Sequence, residues 1–107
     1  MPKIRIAHLF ILKELATLLQ IQKVKAIQKP TFVHHLDQIP LTTFQLLDID
    51  KKEREKVAHL KYETYFRVMR DTGIIDNVRM KGDAQTPSLY SVSKLGYEIL
   101  NLFDITF

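Results

Sequence analysis

Residues 65–75 read Tyr65-Phe66-Arg67-Val68-Met69-Arg70-Asp71-Thr72-Gly73-Ile74-Ile75, and their reading decides how the rest of the chain is organised. Phe66 and Met69 precede Gly73 by seven and four positions, which places both on one face of a helix. A helix that stops and turns into a strand needs a left-handed residue at its end, and glycine adopts that conformation without a side-chain clash. Ile74 and Ile75 then start a strand. Beyond them the periodicity changes from helical to alternating: Ile75, Val78 and Met80, then the polar Gly82-Asp83 and Thr86-Pro87, then Leu89, Tyr90 and Val92. This predicts a two-stranded hairpin over 74–92 with a long polar tip. Ser93 is a suitable N-cap for a last helix over 94–104, whose apolar residues include Leu95, Ile99, Leu100 and Phe103. Gly96 falls in its first turn, where glycine costs about 1 kcal/mol relative to alanine, so close packing against a neighbour is expected there.

Upstream, Leu9, Leu12, Ala16 and Leu19 recur at helical spacing and predict a first helix over 6–25. Its apolar face is broad, since Ile11, Leu15 and Leu18 lie outside that stripe; such a helix is central to the core or shared with a second subunit. Pro30 ends the region, and Thr31 caps a short helix over 32–39 that stops before Pro40. Thr42 with Gln45 three positions on is a capping-box signature for a second short helix over 42–48. Asp50 can cap the next helical stretch, and the apolar spacing over 51–72 fits either one helix or two with a turn near 59–61. The expected fold is one domain spanning 1–107, mainly α with a small antiparallel β-hairpin.

At this point a resemblance appears. The stretch 65–75 resembles the end of a winged-helix recognition helix, and Tyr90-Ser91-Val92-Ser93-Lys94-Leu95-Gly96-Tyr97-Glu98-Ile99-Leu100 is similar to the Tyr-x-Leu-Thr-x-x-Gly-x-x-Leu closure of the wing in MarR-, PadR- and ArsR-type regulators. The likeness covers about residues 51–103 and departs in the first half, where the charged run 50–61 replaces a well-marked turn. It implies a winged helix-turn-helix fold and a transcription regulator that binds double-stranded DNA.

With Phe66 and Met69 facing inward, the opposite helix face presents Lys61, Thr64, Arg67 and Arg70 to a major groove. Arginine reads guanine edges bidentately, while lysine, threonine and tyrosine hydroxyls bind phosphates. Arg67 and Arg70 are therefore the expected base or backbone contacts, with Lys61, Tyr62, Thr64 and Tyr65 around them. The resemblance implies a wing that reaches the adjacent minor groove or backbone, for which Arg79 and then Lys81 are the candidates. Glu63 and Asp71 on the same helix are the feature that fits a different reading, a protein-interaction module without direct DNA binding; RNA binding is a third. Regulators of this kind often pair through terminal helices, and the homodimer contacts expected here are Leu9 and Leu12 with Leu95, Ile99, Leu102 and Phe103.

Composition is compatible with a polyanion partner. The 107 residues carry 16 basic and 12 acidic side chains, a net charge of +4, and residues 1–30 hold Lys3, Arg5, Lys13, Lys23, Lys25 and Lys29 against Glu14 alone. There is no cysteine, so thiol nucleophiles, thiolate metal sites and disulfides are excluded. Charges interrupt the apolar runs of residues 1–25, so neither a signal peptide nor a membrane span is expected, and the reading is of a cytoplasmic or nucleoid-associated protein. His34 and His35 point about 100° apart on a helix and make no zinc site with Asp37 alone. No glycine-rich phosphate loop, nucleophile elbow or paired carboxylates occur, so neither an enzyme nor a cofactor is expected, and no effector pocket can be read from the residues.

Overall fold

The computed structural model describes residues 3–78 and 88–103. Their order is α1 Ile6–Gln22, β1 Ile27–Gln28, α2 Lys29–Asp37, α3 Leu41–Leu46, α4 Lys52–Glu55, a 3₁₀ turn Ala58–Leu60, α5 Glu63–Asp71, β2 Ile75–Val78, β3 Leu89–Val92 and α6 Lys94–Leu102. The fold is α+β: six α-helices and a three-stranded antiparallel sheet among the described residues, with strand order β1-β3-β2. None of these helices is long and apolar enough to cross a membrane.

The hairpin strands pair as the alternation requires, Ile75 opposite Val92 and Asn77 opposite Tyr90. The added strand β1 was not expected: Ile27 pairs with Tyr90 and Gln28 with Leu89. Two residues carry no readable alternation, and Ile27 becomes a strand only because its buried side chain and backbone dock on β3.

Helix α1 runs through the middle of the core, with Leu12 and Leu15 wholly buried against a cluster that includes Phe32, Phe44, Phe66 and Leu100. It starts where the Arg5 amide donates to His8 Nδ1 at 2.9 Å, and ends where Lys23 turns left-handed at φ 55°. The amides of Lys23 and Val24 then take the carbonyls of Gln20 and Leu19, which closes the helix earlier than the expected residue 25. Helix α2 begins at Lys29, not 32: Pro30 sits in its first turn, where the missing N–H has no helical partner in any case. The Thr42–Gln45 box does not form, because Pro40 is the N-cap and Thr42 is inside α3; Asp48, left-handed at φ 55°, lies beyond its end. The region 51–72 is broken. Asp50 Oδ1 accepts from the Lys52 amide at 2.9 Å, but α4 lasts only to Glu55, and α5 restarts after Tyr62, itself left-handed at φ 59°.

At the end of α5 and the start of α6 the structure has the expected local features, although α6 ends at Leu102 with Phe103 as its C-cap, short of the expected residue 104. Phe66 and Met69 are completely buried, Gly73 is left-handed at φ 77°, and the Ile74 amide donates back to Met69. Ser93 caps α6 by accepting from the Gly96 amide at 3.0 Å and also donates its hydroxyl to the Gly73 carbonyl at 2.6 Å. The two halves of the sequence signature are thus bonded to each other. A Cβ on Gly96 would lie 2.2 Å from the Ile74 carbonyl oxygen, so glycine there is a packing requirement.

Candidate nucleic-acid interface

Helix α5 is held from inside by Tyr65, Phe66 and Met69, so its opposite face is led by Thr64, Arg67 and Asp71, all exposed. Arg67 has no hydrogen-bond or ion-pair partner among the described residues, which leaves its guanidinium available to a partner molecule. Thr64 is exposed, but its hydroxyl donates to Glu53 Oε1 at 2.8 Å. Glu53 is a buried carboxylate whose Oε1 also accepts from Lys56 Nζ at 2.7 Å, while its Oε2 has no partner among the described residues.

The structure withdraws four expected contacts from this surface: Tyr62, Tyr65, Arg70 and Lys61. Tyr62 is wholly buried and donates its hydroxyl to Asp37 Oδ1 at 2.7 Å. Burial first, then this bond, raises the Tyr62 pKa well above its ordinary value, so the phenol stays a donor. Tyr65 is buried beside His8, and its hydroxyl accepts from the Asp50 amide at 2.8 Å. A side chain enclosed in this way cannot reach a phosphate without unfolding its surroundings. Arg70 is the third: its Nη1 donates to the Tyr90 hydroxyl at 2.8 Å and its Nη2 to Glu63 Oε1. Helix geometry explains the difference from Arg67, since three residues rotate the side chain by about 60° and carry Arg70 to the flank that meets the sheet.

Lys61 also turns inward, to Asp37 Oδ2 at 2.8 Å. Burial alone would raise the Asp37 pKa, but the hydrogen bonds from Lys61 and Tyr62 outweigh it and hold the carboxyl below its ordinary value. Glu63 follows the same pattern. Burial pushes it up, yet the bonds from Arg70 and from Lys29, the latter at 2.5 Å, bring it below the usual range. Lys29, Asp37, Lys61, Glu63 and Arg70 line a cavity of about 650 Å³ between α2, the 3₁₀ turn, α5 and the sheet. Sequence reasoning places Lys61 and Arg70 on a helix face but has no signal for their partners. Lys29 and Glu63 are 34 residues apart, and Asp37 and Lys61 are 24 apart.

Arg79 and Lys81, the wing contacts, lie outside the described residues. Of the histidines weighed for a metal, His35 Nε2 is 2.9 Å from Glu14 and His34 Nε2 is 2.8 Å from Gln38, each bonded to a different neighbour. Among the expected dimer contacts, Leu9 and Leu12 are buried in this chain's own core and are not available to a second copy. Ile99 packs against the core, whereas Leu95, Leu102 and Phe103 are exposed, Leu102 to 79%. No protein-family model, curated protein or solved structure matches the chain.

Proposed function

We propose that this chain is a winged helix-turn-helix regulator of transcription that binds double-stranded DNA, with α5 in the major groove and the 74–92 hairpin as its wing. The observation that carries the reading is Arg67, exposed and without a partner among the described residues, on a helix whose end is bonded directly into the hairpin through Gly73, Ile74 and Ser93. A rigid helix that projects an arginine fork is suited to bidentate guanine contact. The composition, with its surplus of basic side chains, supports the same partner.

Fluorescence anisotropy with duplex DNA at two salt concentrations tests it. Binding is expected to weaken as salt rises, and Arg67→Ala to weaken binding to a specific site by about tenfold or more. Absence of binding at low salt, or an Arg67→Ala variant that binds as tightly as the parent, rejects the assignment. Pairing of two copies through α6 belongs to this reading, supported by the exposed Leu102 and Phe103. Light scattering should report a dimer, and a monomer for the double variant Leu102→Ser, Phe103→Ser.

One observation favours a protein partner instead. Val57 and Leu60, exposed to 59% and 45%, lie just before α5, and Leu60 shares a shallow groove with Arg67 and Val68. A stoichiometric protein complex that is lost on Leu60→Ser, together with no duplex binding, would select that reading.

A further inference from the structure

The cavity beside α5 has a strongly charged lining. Among the described residues, and leaving aside the imidazoles of His34 and His59, three cations, Lys29, Lys61 and Arg70, face two carboxylates, Asp37 and Glu63, so one positive charge is in surplus. Lys61 and Asp37 neutralise each other at 2.8 Å, which assigns the surplus to the group in which Glu63 is shared by Lys29 and Arg70. Their side chains keep 16% and 25% of their exposure, so both cations are drawn out of bulk water yet still open to the cavity. Partly desolvated ion pairs contribute little net stability compared with apolar packing, so stability alone does not account for this group.

Donor capacity remains. Lys29 uses two of its three N–H groups, on Glu63 and on the His59 carbonyl at 2.8 Å. Arg70 uses two of its five, on Tyr90 and Glu63. Pro30 and Val33 of α2 and Ala58 of the 3₁₀ turn supply apolar surface, and His34, His59, Asn77 and Ser88 add further polar groups to the wall. The Ala58 wall belongs to the segment 38–62, which joins α2 to α5. A volume of about 650 Å³ falls within the range of small-molecule sites, which combine apolar walls with a few convergent polar groups.

We infer that this cavity is a binding site for a small organic monoanion, a carboxylate with an apolar body. Its headgroup meets Lys29 and Arg70 beside Glu63, and its body lies on Pro30, Val33 and Ala58. Glu63 acts as the internal competitor: it keeps the two cations apart from each other and oriented while the site is empty, and it repels the incoming carboxylate. The site stands independently of the DNA reading, because it uses the flank of α5 that faces α2 and the sheet, not the face that carries Arg67.

The experiment is an NMR titration of the full chain with benzoate, with benzylamine and benzyl alcohol as cationic and neutral controls of the same body. Benzoate is expected to shift the amide signals of Lys29, Ala58, Glu63 and Arg70 and to leave those of Leu95–Leu102 in place; neither control should reproduce this. Glu63→Gln removes the competing charge and should tighten benzoate binding by about tenfold, while Arg70→Gln should weaken it by about tenfold. Thermal unfolding of each variant checks that it is folded, and Lys29→Gln replaces Arg70→Gln if that protein is not. The inference is overturned if benzoate leaves the cavity amides unmoved in both the parent and Glu63→Gln. It is equally overturned if benzylamine or benzyl alcohol binds there as well as benzoate, or if Glu63→Gln binds benzoate no more tightly than the parent. A structural role alone for Glu63 predicts loss of binding on that substitution, never gain.

Discussion

The described part of residues 63–103 and the segment 38–62 are built in opposite ways. The first uses small residues where the backbone demands them: Gly73 turns left-handed at no steric cost, Gly96 lets α6 touch the Ile74 carbonyl, and Ser93 caps α6 and ties it to Gly73. The second contains no glycine, and it makes its left-handed turns with Asp48 and Tyr62. For an aromatic residue that conformation costs about 1–2 kcal/mol. What holds the segment is the burial of Phe44 and Ile49 in the core together with a set of polar bonds to distant residues. Arg54 donates to the Leu36 and Ile39 carbonyls and lies over the Phe44 ring at 4.1 Å, Tyr62 holds Asp37, and Glu53 takes Thr64. A fold can therefore stop a helix cheaply by local chemistry, or more expensively by tertiary anchoring.

The contrast is open to direct attack. Gly96→Ala puts a methyl group against a backbone oxygen and should destabilise the protein by about 2–3 kcal/mol in urea unfolding, the largest single effect expected. Tyr62→Phe keeps the ring but removes the bond to Asp37, which retains Lys61; a loss of about 1–2 kcal/mol is expected. If Tyr62→Phe proves as costly as Gly96→Ala, the segment 38–62 is anchored as firmly as the glycine-built region, and the distinction fails. Gly73→Ala meets nothing within 4 Å, so only the left-handed backbone counts against it, at about 1 kcal/mol.

The smallest effect is a pair of acid steps. Burial and then the Arg5 charge hold the His8 imidazole below its ordinary 6.5, so folding favours the neutral ring that accepts the Arg5 amide. Its contribution is present above pH 6.5 and is lost as the pH falls below that value and through the depressed folded pKa. Asp37 is likewise depressed, from 3.8, so its contribution survives until the pH drops below 3.8 and through its folded value. Unfolding midpoints measured against pH should lose the upper step in His8→Gln and the lower step in Asp37→Asn. A pH profile unchanged by His8→Gln would show that the ring at the start of α1 plays no part in acid sensitivity.

How far the residues could be read divides along the same line. Phe66, Met69, Gly73, Ser93 and Gly96 are legible because each answers a demand set within a few residues: which face is inward, where a helix must turn, which N–H needs a cap. Thr42 with Gln45 looks equally local, but Pro40 already starts α3 ahead of it, and Thr42 lies inside the helix where there is no cap to make. Leu9 and Leu12 resemble surplus apolar surface because a sequence shows a stripe but not what covers it; here the rest of the chain does. Arg67 and Arg70 look interchangeable for a similar reason.

By itself, then, the sequence determined the end of α5, the hairpin strands, the capped start of α6 and the inward residues between them, since steric and hydrogen-bonding limits act there over a handful of positions. Only the tertiary structure decided which arginine faces out, that Ile27 joins the sheet, that Tyr62 and Tyr65 are enclosed, and that Lys29, Glu63 and Arg70 meet beside a cavity. Those outcomes depend on partners as far as 34 residues away, and nothing in the local chain encodes which distant charge will arrive.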